Sequence, residues 1–250
     1  MIIDMTYSMR SDSLGVDPDD LRTGSPTLRQ YHRALWSRAA PGTDGETLSW
    51  HANSTRAYLW HESDALGRFA VGSDTISTSH SAYGRFPVSS LYRELGPERR
   101  GQFHRICSTI GGYIVFPVHP QSINQRRGRA PLCDRFDLTL ECIRRYYEEP
   151  DAANPLGEVL NRNSGFFGLF GDFTGYVRFF YLDPLVNSDG SVKWHLDNVT
   201  GDLSKTLLPT SMSGYLTYLE RQETFVLARN RLIAADFSTQ PGSTDEVSMT

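Results

Sequence analysis

Apolar residues recur at helical spacing over five segments of this 250-residue chain. The most regular segment is 132–149, where apolar side chains stand at i, i+4, i+8, i+11 and i+15 and form one stripe along a helix. A serine followed by proline at 25–26 is typical of a helix start. The spacing predicts helices over 26–38, 98–110, 132–149, 172–183 and 211–235.

Short runs of aromatic and β-branched residues separate these helices and indicate strands. The clearest is YIVFPV at 113–118, which has the composition of a buried strand. Asp189-Gly190 is a typical hairpin turn and predicts a β-hairpin around it. Residues 120–131 carry proline at both ends and are predicted to form a loop. Strands are expected near 48–50, 57–61, 68–72, 113–117 and 191–196.

These elements do not alternate regularly between strand and helix, which argues against a doubly wound parallel sheet. The pattern predicts an α+β fold in which a small antiparallel sheet packs against about five helices. We expect an irregular N-terminal segment over 1–25, a single domain over 26–236 and a flexible tail over 237–250.

The charge balance and the cysteines exclude several classes of protein. With 25 basic and 29 acidic residues, the net charge is −4, so there is no strong case for nucleic-acid binding. The three cysteines form no CxxC pair, so no metal site is predicted. The chain has neither an apolar run long enough to span a membrane nor the apolar core of a signal peptide. We therefore expect a cytoplasmic protein that does not bind membranes.

The first candidate site is the segment INQRRG at 123–128 together with the start of the following helix. Amide and guanidinium donors beside a helix N-terminus are suited to bind phosphate or another anion. Alternatively, the acidic residues complement the helix dipole and pair with the arginines. The predicted ligand-binding residues here are Asn124, Arg127, Asp134 and Arg135.

The second candidate site is the charged side of the 132–149 helix. Asp137 and Glu141 are predicted catalytic residues, acting as a base or as ligands for a transient Mg²⁺, while Arg144 and Arg229 orient them. Alternatively, this side is a solvated surface of ion pairs. Arg229 lies on an apolar stripe and requires a carboxylate or several carbonyls. Its candidate partners are Asp134, Asp137, Glu141 and Asp172.

The third candidate is His61 in YLWHES at 58–63, predicted to lie at the end of a strand and to bind a ligand. It resembles the strand histidine of diphtheria-toxin-like ADP-ribosyltransferases, a resemblance that implies an enzyme using NAD. In this chain Glu62 follows the histidine where those enzymes usually have glycine, and the spacing to Tyr83 is short.

Eight stretches resemble a family of uncharacterised bacterial proteins, a domain of unknown function. Together they span most of the chain, so the resemblance implies one whole-length domain and no known activity. The stretches are DPDDL at 17–21, LRQYHRALWSR at 28–38, YLWHES at 58–63, SDTIS at 73–77, GGYIVFP at 111–117, INQRRG at 123–128, DRFDLTLECIRRYY at 134–147 and FFGLFGDFTGYVRFFYLDPLV at 166–186.

Three functions therefore remain open, and the sequence leaves the cofactor unknown. The first is binding or turnover of an anionic, phosphate-bearing small molecule or nucleic-acid end in a cleft formed by the loop and helix of 123–145. The second is a non-enzymatic protein-interaction domain, an accessory factor in bacterial stress or phage defence, whose aromatic residues (12% of the chain) form an exposed patch for an unknown partner. The third is the ADP-ribosyltransferase-like enzyme.

Overall fold

A computed structural model describes residues 25–52, 59–76, 88–118, 123–129, 132, 135–197, 202–203 and 208–238 of the chain. The fold is α+β, as predicted. The predicted irregular segment 1–25 and the tail 237–250 lie almost entirely outside the described residues. The α-helices of the described residues are α1 (Pro26–Trp36), α2 (Val88–Glu94), α3 (Pro97–Cys107), α4 (Ile123–Arg129), α5 (Phe136–Glu148), α6 (Gly157–Arg162), α7 (Ser164–Gly168), α8 (Phe173–Phe179) and α9 (Met212–Ser238).

Four antiparallel strands form one sheet in the order β1-β2-β3-β4. All four had been predicted within a few residues, and β4 begins and ends where expected. Each strand pairs with the strand before it in sequence, so the sheet is a meander without crossovers. The strands are β1 (Ser49–Ala52), β2 (Leu59–Ser63), β3 (Gly67–Thr75) and β4 (Tyr113–Pro117).

Helices cover both faces of strands β3 and β4. Gly72 is paired with Phe116 and Asp74 with Ile114, so these four side-chain positions share one face. Arg127 of α4 packs over the Phe116 ring on this face, with 5.6 Å from its guanidinium carbon to the ring centroid. The opposite face carries Ser73, which contacts α1. The sheet is thus a central layer.

The predicted hairpin strand at 191–196 is wrong. Val192 forms an isolated bridge with Val186, and the turn at Asp189-Gly190 is present, but no ladder continues from it. The backbone N–H of Lys193 donates to Leu185 O at 2.8 Å, and that of His195 donates to the Asp137 carboxylate at 2.9 Å. The bond from Lys193 completes the single bridge, but the N–H of His195, the next donor on that side, is taken by the carboxylate, so the ladder ends there.

The prediction of a loop over 120–131 is also wrong for its central part, because Ile123–Arg129 forms helix α4. Prolines stand at 120 and 131, outside the helix, and therefore do not interrupt it. Ile123 and Arg127, one helical turn apart, are both buried. The helix is stabilised by packing against the sheet rather than by intrinsic propensity.

Aromatic side chains fill the core instead of forming an exposed patch. Phe166, Phe170, Tyr176 and Phe180 are buried and contact one another, with ring centroids 4.9 to 6.5 Å apart. In the described part of the chain, the large hydrophobic side chains that are exposed are aliphatic, Leu227 and Leu232. The aromatic surface expected of an interaction domain is therefore not present in these residues.

Arg229 of α9 is completely buried at the centre of the fold. Its guanidinium donates to Phe180 O at 2.9 Å, to Gly111 O at 3.0 Å, to Tyr113 O, and to the Tyr31 hydroxyl at 3.3 Å. The sequence predicted either a carboxylate or several carbonyls as partners of Arg229, and the structure has three carbonyls.

The carboxylates proposed as partners of Arg229 lie elsewhere. Asp137 and Glu141 pair with other arginines, and Asp172 caps helix α8 by accepting from Gly175 N at 2.7 Å. Asp134 lies outside the described residues. Within the described chain, the charge of Arg229 is compensated by peptide and phenol dipoles.

We expect Arg229→Met to lower the free energy of unfolding by roughly 3 kcal/mol or more, because buried carbonyl acceptors lose a charged donor. Arg229→Lys keeps the charge but not the planar fork and should also destabilise the protein. Urea denaturation followed by circular dichroism measures both effects. The matched control is Arg231→Met, at an exposed position of the same helix. Equal stability of the Arg229→Met and Arg231→Met variants would contradict this role.

Candidate functional site

Arg127 and Asn124 come from helix α4, whose buried side faces the sheet. Arg127 Nη1 donates to Asp74 Oδ2 at 2.6 Å and its Nε donates to Thr139 Oγ1 at 3.0 Å. The Arg127 side chain is 1% exposed, whereas that of Asp74 is 28% exposed. The guanidinium therefore joins α4, β3 and α5 from the inside. Asn124 is half-buried, and its Oδ1 has no hydrogen-bond partner among the described residues.

Arg135 and Asp137 form a second, fully buried ion pair at the start of α5. The pair is bidentate, with Arg135 Nε 2.9 Å from Oδ1 and Nη2 2.6 Å from Oδ2 of Asp137. The backbone N–H of His195 also donates to Oδ2. Burial alone would raise the pKa of Asp137, but its interactions with His195 and with Arg135 hold it below its usual range. A carboxylate enclosed and ionised in this way is a weak proton acceptor.

Glu141 belongs to a third group one turn further along α5. Arg144 donates to both carboxylate oxygens at 2.8 Å, and Arg145 donates to Oε1 at 2.9 Å. Burial of Glu141 would raise its pKa, but the hydrogen bonds from Arg144 and Arg145 lower it. Asp137 and Glu141 are both buried, so the first half of this helix is not the solvated surface that was one interpretation of its charges.

The predicted site residues therefore fall into separate groups rather than one cleft within the described chain. Arg127 lies against the sheet, Arg135 and Asp137 contact residue 195, Glu141 and Arg144 pair on α5, and Arg229 lies in the core. His61 lies in β2, in register with Trp50 and Phe69, and its side chain is outside the described residues, as is Asp134.

Asp137→Asn should destabilise the protein by about 3–5 kcal/mol, because it leaves the buried Arg135 guanidinium without its carboxylate. The measurement is chemical denaturation at neutral pH. The control is Glu148→Gln on the same helix, whose ion pair with Arg144 is nearly half exposed and should contribute less than about 1 kcal/mol. If Asp137→Asn is as stable as the control, this ion pair does not stabilise the fold.

Ser73 and His32 form a pair that the sequence pattern did not reveal. The Oγ of Ser73 on β3 lies 2.8 Å from Nε2 of His32 on α1, which is the spacing of a nucleophile and its base. His32 is completely buried, and this lowers its pKa to about 3. An imidazole of such low basicity does not activate a hydroxyl at neutral pH. The pair joins α1 to the sheet.

This buried histidine makes stability depend on pH. His32 is protonated near its ordinary pKa of 6.5 in the unfolded chain but not in the folded protein, so stability falls as pH drops below 6.5. Each such group gives a slope of about 1.4 kcal/mol per pH unit. We expect this decline to be clearest between pH 6.5 and about 5.5, before the carboxylates begin to titrate.

Substitution of His32→Gln keeps a donor near Ser73 but removes the titration, so it should reduce the slope by about one proton. Urea denaturation at a series of pH values measures it. Above about pH 7, where the imidazole is neutral in both states, the slopes of the two proteins should agree. A variant with the unchanged wild-type slope below pH 6.5 would show that His32 titrates normally.

A pocket of about 640 Å³ lies between one side of α9 and the segment around residues 184–195. The lining residues from α9 recur every three or four positions and so lie on one face of the helix. The other wall contains Leu185, Lys193 and Trp194. Arg221 Nη1 reaches across from α9 to Trp194 O at 3.2 Å, whereas Lys193 Nζ donates to Pro184 O of its own segment at 3.1 Å. The residues from α9 are Thr217, Glu220, Arg221, Thr224, Phe225 and Ala228.

His195 also lines this pocket, with 2% of its surface exposed. Its ring packs against Tyr218 and Phe225, at centroid distances of 5.9 and 6.5 Å. Its Nε2 is buried and has no hydrogen-bond partner among the described residues. Burial lowers the pKa of His195, so the imidazole is neutral at pH 7. The pair of Arg135 and Asp137 thus positions the backbone of a histidine that is almost entirely buried at the pocket wall.

A second, more polar hollow of about 810 Å³ surrounds the turn between β2 and β3. Its Glu62 pairs with Arg68 at 3.2 Å, and both side chains are substantially exposed. Its lining is almost entirely polar, whereas the pocket beside α9 combines aromatic and aliphatic side chains with two cations. The pocket beside α9 is therefore the better candidate for a specific ligand.

Two further kinds of site were sought in the described part of the chain. It contains no group of three or more histidine, cysteine, aspartate or glutamate side chains able to hold a metal ion. None of its helices is both long and apolar enough to cross a membrane.

Sequence reasoning missed the pocket because its two walls lie far apart in the chain and the 184–196 segment had been predicted to form a hairpin. One signal was available. One face of α9 carries Thr217, Arg221 and Phe225 at i, i+4 and i+8. Polar and apolar side chains therefore share this face, as they do in the lining of a pocket.

Comparison with known proteins gives one family. The model of a family of unknown function, DUF6994, matches residues 3–233. No curated protein and no solved structure matches the chain.

Proposed function

Because the chain belongs to DUF6994, a family of unknown function, we propose its activity from geometry: it binds an anionic small molecule with an apolar part in the pocket beside α9. One observation carries the proposal. Lys193 and Arg221 line one pocket together with the apolar side chains of Leu185, Trp194 and Phe225, so two cations stand beside apolar surface. We further propose a bacterial cytoplasmic protein, in keeping with the sequence resemblance and the buried thiol of Cys142.

The pocket has the size and lining of a small-molecule site. Ligand pockets are typically about 300–1,000 Å³, mostly apolar, with few polar groups that fix orientation. Here Leu185, Trp194 and Phe225 supply apolar surface, and Thr217, Glu220 and Thr224 supply polar groups.

The two cations support a negative charge on the ligand. Arg221 pairs with Asp197 at 2.7 Å, but the Asp197 side chain is 84% exposed. A pair this exposed contributes little, so a ligand carboxylate or phosphate can replace Asp197 at small cost. Lys193 is exposed and bound only to a carbonyl among its described contacts.

The sequence predicted an anionic ligand at the arginines of 123–145. We propose the same class of ligand at a different place, the pocket beside α9. In the described structure, Arg127, Arg135 and Arg144 already donate to carboxylates. An anion there would have to displace buried partners, which costs several kcal/mol. Arg135 and Asp137 act in this proposal as positioning residues for His195.

The fluorescent probe 8-anilino-1-naphthalenesulfonate combines aromatic rings with one negative charge and suits a first test. We expect saturable binding to the wild type with one site per chain, measured by fluorescence titration. Lys193→Ala and Arg221→Ala should each raise the dissociation constant about 5- to 10-fold through loss of a cation. Arg231→Ala, exposed on the same helix, should leave it unchanged.

A second pair of variants tests the position of the site without changing charge. Ala228→Trp fills the pocket and should abolish probe binding, whereas Ala235→Trp, further along α9 and exposed, should not. Thermal melting of each variant shows that it is folded. Equal probe binding by the wild type, Arg221→Ala and Ala228→Trp proteins would overturn the proposal.

A further inference from the structure

Resting on the function proposed above, we propose that Asp197 is an internal competitor of the ligand: its carboxylate occupies the anion position on Arg221, and the ligand displaces it. Asp197 thereby sets how tightly the pocket beside α9 binds an anion, although it does not itself contact the bound ligand. The inference stands on the contacts of Arg221.

Arg221 holds two acceptors through one nitrogen. Its Nη1 lies 2.7 Å from Oδ1 of Asp197 and also donates to Trp194 O at 3.2 Å. Trp194 belongs to the pocket wall, whereas Asp197 lies outside the set of described residues that line the pocket. When the carboxylate leaves, the carbonyl still holds the guanidinium at the wall, so Arg221 is already oriented towards a second anion.

The exposure of Asp197 allows its carboxylate to leave the pair. Its side chain is 84% exposed, so water hydrates the released carboxylate without a conformational change of the fold. The Arg221 side chain is 36% exposed, so a ligand can reach the guanidinium. Arg221 also holds the pKa of Asp197 below its usual range, so the competing carboxylate is ionised at neutral pH.

An internal competitor lowers the apparent affinity for every anion that binds Arg221. The dissociation constant rises by the inverse of the fraction of molecules in which Arg221 is free of Asp197. Because exposed ion pairs are weak, we expect this factor to be about 2- to 5-fold. Simple anions bind by charge alone and are therefore the ligands least able to displace the carboxylate. A ligand with an apolar part also gains from contact with the wall around Trp194.

Lys193, the other cation of the pocket, serves as an internal reference. Among its described contacts, Nζ of Lys193 donates to a carbonyl, that of Pro184, at 3.1 Å. An anion that binds Lys193 therefore displaces no described carboxylate. The effect of Asp197 should depend on Arg221 and be independent of Lys193.

Fluorescence titration of the full chain with the anilinonaphthalenesulfonate probe tests this dependence. Asp197→Asn should lower the dissociation constant of the probe about 2- to 5-fold, because Arg221 no longer has a competing carboxylate. In an Arg221→Ala background the same substitution should change it by less than about 1.5-fold, whereas in a Lys193→Ala background the full gain should remain. Thermal melting of each variant shows that it is folded.

Asp189→Asn is the matched control. Asp189 is an exposed carboxylate of the same segment that does not line the pocket, so its substitution removes an equal charge without freeing Arg221. Its Oδ1 accepts from the backbone N–H and the hydroxyl of Ser191, and asparagine can accept both bonds. At about 0.15 M salt the distant charge is screened, so probe affinity should change by less than about 1.5-fold.

The outcomes separate this inference from the proposed function. If Arg221→Ala weakens probe binding but Asp197→Asn leaves it unchanged, the competitor is overturned and the anionic pocket stands. Weaker binding by Asp197→Asn would show that Asp197 positions Arg221 and would also overturn the competitor. An equal gain from Asp189→Asn, or a gain that persists without Arg221, would reduce the effect to general electrostatics and overturn it too. Absence of probe binding by both the wild type and Asp197→Asn overturns both proposals.

Discussion

The fold depends on the burial of one cation without a carboxylate partner in the described structure. Arg229 is surrounded by backbone carbonyls from Gly111, Tyr113 and Phe180 and by the Tyr31 hydroxyl. Desolvating a guanidinium costs several kcal/mol, and this arrangement offsets the cost only if all its acceptors are in position together. The guanidinium of Arg229 therefore fixes the relative positions of α1, α9, β4 and the end of α8.

The other buried arginines follow the same rule with carboxylates instead of carbonyls. Arg127 is held by Asp74, which joins α4 to β3, and Arg135 is held by Asp137, whose carboxylate also binds the distant backbone N–H of His195. Such pairs contribute more to a specific arrangement of elements than to net stability. Asp74, Arg127, Arg135 and Asp137 therefore serve largely the architecture, and Asp137 also holds the backbone of His195, which lines the candidate pocket.

Periodicity predicted the long helices because one face of each is buried over a sufficient length. The strands were predicted from their aromatic and β-branched composition, and β4 is buried at all five positions. Periodicity failed at Ile123–Arg129, where one turn of buried side chains between prolines resembles a loop. It failed at 191–196 because a carboxylate from α5 takes the backbone donor that a strand would need. The partners of Arg127, Arg135 and Arg229, the contact of His32 with Ser73 and the pocket beside α9 depend on segments far apart in sequence, which no local pattern encodes.

The position of Arg229 also determines the order in which the core can be completed. Its acceptors at 111 and 113 precede it by 118 and 116 residues, and Tyr31 precedes it by 198. During synthesis the sheet and helices α7 and α8 emerge from the ribosome before α9. Until then the carbonyls of Gly111 and Tyr113 lack the Arg229 guanidinium as a hydrogen-bond donor. Contacts of such long range slow folding, because the chain loses its loop entropy before they form. The nascent chain thus remains an incomplete domain until α9 arrives, and the docking of α9 completes the core.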